Sequence, residues 1–180
     1  MNMTVHVALL ALSLLASAVP AAGSRVRSSH PYIRAMIAEA QVRSATFRRL
    51  VSEIEATDGI VYVEEGDCHH QVRACVPPFV TTTGQFRFLR VLVDARQQDW
   101  QVMSDIGHEL QHALEVLKEA SARTDIQVFN AMSRESFGSS EVRETRDAIR
   151  AGDAVEDEVR AFARSSSTRG MPRGPSSPDS

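Results

Sequence analysis

Several things are scarce in this 180-residue chain, and each scarcity excludes something. The formal net charge is only −3 and is spread along the chain, which leaves no electrostatic footprint for nucleic acid or for an anionic membrane surface. The apolar run from Val5 through Val19 covers about fifteen residues, short of the roughly twenty that a bilayer span takes. No internal repeat is visible, and the basic residues are almost all arginine. Cysteine is limited to Cys68 and Cys75, and neither follows the apolar run closely enough to suggest a lipid-modified terminus.

The ends of the chain have distinct compositions. Ala16-Ser17-Ala18 closes the apolar run with the small-x-small pattern of signal peptidase sites, so residues 1–18 read as a cleaved secretory signal. Only His6 and the terminal amine stand where a basic segment is usual, and an uncleaved membrane anchor is the alternative. The expected location is therefore secreted or periplasmic, with no stable membrane insertion after cleavage. Residues 165–180 are rich in Ser, Pro and Gly and show no apolar periodicity, the composition of a disordered tail. Residues 25–164 remain for one domain with a single core. In an exported chain Cys68 and Cys75 predict a disulfide closing a small loop. His69 and His70 lie inside that loop. They read as a second metal site or as plain loop residues, and adjacent histidines usually point in different directions.

The most informative stretch is Ser104 to Leu114, which contains His108-Glu109-x-x-His112. Met103, Ile106, Leu110, Leu114 and Leu117 around it recur at helical spacing. On a helix, residues four apart lie on one face, so His108 and His112 aim two imidazole nitrogens at a common point that tetrahedral zinc accepts. Glu109 stands beside them as the residue to handle a proton. A polar helix face carrying two histidines by accident is the competing explanation, since Ser104, Asp105, Gln111 and Glu115 share that arc. Against it, Val102, Ala113 and Val116 widen the apolar face, so the helix is expected to be largely buried, and buried histidines need partners.

The remaining elements follow in order. Apolar residues from Ile33 to Ile54 predict one long amphipathic helix over 32–56, ended by Thr57-Asp58-Gly59. Ile60 to Val63 predicts a short strand, and Phe79–Thr82 with Phe86–Val93 predicts a hairpin in which Arg87 and Arg90 mark a face meeting water. Asp94 to Gln97 matches a capping box opening the His108 helix, which is expected to run to about Ala122. A short helix from Thr124 to Met132 and a last helix from about Glu141 to Ala163 complete an α+β domain with a small antiparallel sheet.

This order of elements, with His-Glu-x-x-His on a central helix, resembles the minimal zincin metallopeptidases. The resemblance implies zinc as cofactor, a peptide or protein substrate laid along Phe86–Val93 as an added strand, and Glu109 as general base toward a zinc-bound water. A catalytic zinc takes three protein ligands. The metzincin continuation is absent, because Glu115 and Lys118 stand where Gly and His belong, and no histidine follows His112. The gluzincin branch, which takes a carboxylate as third ligand, is the one this chain resembles. Glu115 and Glu119 lie too far along the same helix. Glu144 heads an otherwise apolar column of Ala148, Ala151, Val155 and Phe162 and is the chosen ligand, with Glu141 in reserve and a plain helix-start acid as the bland reading. Asp147 is expected to orient a histidine. Gluzincins also place a His or Tyr beyond the motif for the oxyanion. This chain has neither there, which leaves Arg143, Arg146 or a backbone amide, and leaves open a zinc-binding, catalytically inactive zincin-like domain acting as a binding or structural protein.

Overall fold

A computed structural model describes residues 23–68, 72–134, 137–138 and 143–169. Residues 1–22, on which the expected signal falls, His69, His70, Glu141 and residues 170–180 lie outside the described residues. The chain is α+β, with five helices and a small mixed sheet among those residues.

Strand β1 (Val26–Arg27) is followed by helices α1 (Pro31–Arg43) and α2 (Ala45–Glu55). The single long helix expected here is divided at Ser44, whose backbone is extended and whose hydroxyl accepts from the Phe47 amide at 2.9 Å. Serine is a favoured N-cap for this reason. The apolar stripe runs through the break in phase, from Ala40 to Phe47 with Ser44 itself fully buried, so periodicity alone could not reveal it. The Ser44 hydroxyl also donates to Glu158 far along the chain.

Strands β2 (Gly59–Glu65), β3 (Ala74–Cys75), β4 (Thr81–Thr83) and β5 (Phe86–Val93) form the sheet with β1. The expected hairpin is present as β4–β5, turning at Gly84 with φ 58°, a left-handed conformation that glycine adopts without penalty. The sheet is mixed rather than antiparallel: β2 runs parallel to both β1 and β5, Gly59 opposite Arg87 through Glu65 opposite Val93. Strand β5 is thus an inner strand, with β2 on one side and β3 and β4 end to end on the other. Its outer side is taken at residues 86–88 and 92–93, while residues 89–91 between them pair with β2 alone among the described strands. The Pro77-Pro78 step separates β3 from β4 along the outer rim. Cys68 and Cys75 form a disulfide.

Helix α3 (Asp99–Lys118) carries the His-Glu-x-x-His motif, and α4 (Asp125–Arg134), β6 (Phe137–Gly138), β7 (Arg143–Glu144) and α5 (Arg146–Arg169) complete the fold. The α3 capping box is formed by Gln98 and Gln101, not by Asp94, which instead accepts from Arg96. The helix ends at Lys118, earlier than expected, because Arg87 intercepts it. That side chain is 2 % exposed, so Arg87 does not belong to a wetted face. Its guanidinium donates to the carbonyls of Leu117 at 2.6 Å and Glu119 at 2.8 Å and forks onto Asp58, where the negative end of the helix dipole welcomes a cation. Arg90, three residues on and so on the opposite face of the strand, is exposed as expected. Helix α5 continues to Arg169, through serines expected to begin the tail.

The helices cover one face of the sheet, and α3 packs most extensively on α5. That closeness depends on two glycines. A Cβ at Gly107 would meet Val155 at 2.8 Å, and one at Gly152 would meet the Cβ of His108 at 3.2 Å. Among the described residues no helix is long and apolar enough to cross a membrane.

Candidate metal centre

Twelve residues of α3 are buried, among them Glu109, Gln111 and His112, so the motif lies on a helix with little solvent to satisfy it. His108 Nε2 is 3.0 Å from Glu144 Oε2, and His112 Nε2 is 3.9 Å from the same oxygen. The two imidazole rings lie 4.9 Å apart with planes inclined at 70°. Around tetrahedral zinc with ligands at about 2.0–2.1 Å, donor atoms stand about 3.4 Å apart, and the observed separations bracket that spacing. His112 Nε2 is buried with no hydrogen-bond partner, and Glu144 Oε2, also buried, has only the approach of His108 Nε2. Buried polar atoms are rarely left so, and a cation at the point of convergence satisfies both. His108, His112 and Glu144 form a group able to hold a metal ion.

Glu144 reaches this group from a different element than expected. It lies in β7, held opposite Phe137 of β6, and not on the last helix. Helix α5 begins two residues later because Thr145 caps it: the Thr145 hydroxyl accepts from the Ala148 amide at 3.1 Å, and its carbonyl accepts from Ile149. Asp147 does not orient a histidine. It is exposed and pairs with Arg150. Glu115, rejected from the sequence as a ligand, takes that place, with Oε2 3.1 Å from His112 Nδ1 and Oε1 accepting from Thr145 Oγ1 at 2.8 Å. The signal for it was present, since residues three apart on a helix touch. Arg146 is exposed, and the side chain of Arg143 lies outside the described residues.

The charges at the site favour added positive charge. Burial disfavours a protonated imidazole, yet the carboxylates of Glu115, Glu144 and Glu109 outweigh it and raise His112 to about 10; His108 shifts the same way under Glu144 and Glu109. The two histidines hold Glu144 down at about 2. Burial dominates at Glu109, 5 % exposed, and pushes it up to about 7 despite both imidazoles. A carboxyl tuned near neutrality can both take up and release a proton at working pH. A cleft of ≈ 310 Å³ lies behind the group, on the side of Glu115 and Thr145, with Gln111, Ala131 and Met132 also in its walls and none of His108, Glu109, His112 or Glu144.

No protein-family model matches this chain, and no curated protein or solved structure was found similar to it.

Proposed function

We propose that this protein is an exported zinc metallopeptidase of the gluzincin type, with His108, His112 and Glu144 as zinc ligands and Glu109 as general base. The observation that carries the reading is the convergence of three donor atoms, one of them the buried and unpartnered His112 Nε2, beside a carboxyl pushed up to about 7. Zinc in such a group lowers the pKa of a coordinated water to about 7 and polarises a nearby carbonyl. Glu109 accepts the proton of the attacking water and returns it to the departing amine, which needs a base near neutral pKa. The disulfide fits an oxidising, extracytoplasmic compartment.

A second reading, a zinc-holding domain that turns nothing over, is favoured by the lack of any histidine or tyrosine after His112 to meet an oxyanion. Hydrolysis of unstructured peptides after chelation and zinc reconstitution separates the two. Wild type is expected to cleave and Glu109→Gln to lose cleavage while binding one equivalent of zinc and melting at the same temperature. Zinc uptake without cleavage by wild type would move the protein to the second reading. Failure of folded wild type to take up zinc would end both.

A further inference from the structure

We infer that Glu115 is a positioning residue for this metal group: it fixes the proton of His112 on Nδ1 and ties that ring to the strand that delivers Glu144. The inference rests on the reading of His112 and Glu144 as ligands and adds a residue to it. A carboxylate can only accept, so Glu115 Oε2, 3.1 Å from His112 Nδ1, requires that nitrogen to be the donor. In the neutral ring that a metal ligand must be, the lone pair is then on Nε2, the atom that is buried, unpartnered and turned to Glu144.

The other oxygen of Glu115 reaches the opposite side of the site. It accepts from Thr145 Oγ1 at 2.8 Å and from Gln111 Nε2 at 3.2 Å. The Thr145 hydroxyl is itself committed in both directions, donating to Glu115 while accepting from the Ala148 amide at the start of α5. Thr145 is bonded to Glu144, so a continuous path of hydrogen bonds and backbone joins the two ligands from behind. Neither Glu115 nor Thr145 points an atom at the metal position among the groups that converge there. A bland intrahelical ion pair between residues three apart would account for the first contact, but not for the second carboxylate oxygen being spent on the residue next to the third ligand.

Zinc affinity, measured by competition with a chelating dye on the full chain, tests this independently of peptidase activity. Glu115→Gln removes the charge and Glu115→Asp keeps it but withdraws it from Nδ1. Both are expected to weaken zinc binding by about 10–100-fold, the usual cost of losing a ligand's outer partner, and to shift the visible absorption of the cobalt-substituted protein. The zinc-free protein is expected to melt somewhat lower in both variants, because the His112 and Thr145 partners of Glu115 are disturbed, so affinity is read on folded protein well below that transition. Wild-type affinity in both variants overturns the inference, as does loss in Gln with full retention in Asp, which would make the effect one of charge alone. A fall in zinc-free stability with affinity unchanged reduces Glu115 to a structural residue. If wild type itself binds no zinc, the underlying reading fails first and this one with it.

Discussion

Gly152 gives His108 the room it occupies. A methyl there would lie 3.2 Å from the Cβ of His108 and 3.4 Å from its Nδ1, tighter than side chains ordinarily tolerate. Alanine is the better helix former by about 1 kcal/mol. Gly152→Ala is therefore expected to leave the zinc-free protein about as stable as wild type while lowering zinc affinity, because the ring must swing to make space. Melting curves with and without chelator, alongside dye competition, read both effects. Glu158 provides a second prediction. Burial alone would raise its carboxyl, but hydrogen bonds from the Ser44 hydroxyl and from the Thr46 amide and hydroxyl hold it below the usual carboxylate range. A depressed folded-state pKa stabilises the protein above the unfolded value of about 4.3 and ceases to do so as pH falls through the lower folded value. Acid unfolding of Glu158→Gln is expected to have a weaker dependence on pH in that window than wild type. At this scale the sequence was most legible where chemistry is local. His108, Glu109 and His112 sit on one helix, and their spacing placed them together. Glu144 was chosen for heading an apolar helical column, yet it reaches the group from β7, so the residue was found through an element it does not occupy. Glu115 was discarded by a rule about ligand reach that says nothing of outer partners.

Elements are held here by polar side chains inside the core as much as by apolar stripes. Arg87 closes the C-terminal end of α3 and pairs with Asp58 while 2 % exposed. Removing one partner of a buried charged pair typically costs about 3–5 kcal/mol. Arg87→Met is expected to destabilise by that order in chemical denaturation and to fray α3 past Val116, since the last carbonyls lose their donor. The period of two puts Arg87 and Arg90, three residues apart, on opposite faces of β5, but both faces carry large apolar residues, so which arginine turns inward is settled only when Asp58 and the end of α3 are brought near. The same holds for Ser44, a polar residue within an unbroken apolar stripe whose meaning depends on Glu158, more than a hundred residues later. Helices, the β4–β5 turn and the disulfide were readable from local chemistry. The parallel pairing of β2 with β5 was not, because strand direction is settled by what lies between and across.

At the scale of the whole molecule, the proposed ion would join a central helix to a strand that arrives after α4 and β6. Any ligand that binds only the native state adds RT ln(1 + [L]/Kd) to stability, about 2.7 kcal/mol at a hundredfold excess over Kd. Zinc is therefore expected to raise the melting temperature and to slow amide exchange most at Glu144 through Ala148, where β7 passes into α5, with chelation reversing both. Hydrogen exchange followed by mass spectrometry reads the location directly, and uniform protection across the chain would speak against the site.

The outer rim of the sheet carries a separate consequence. Two prolines interrupt it between Cys75 and Thr81, and beyond them only three exposed threonines present backbone to the outside. Proline brings no N–H to a neighbour. A polypeptide approaching this border therefore finds no unbroken row of donors to extend, and the interruption guards the molecule against stacking rim to rim with another copy of itself.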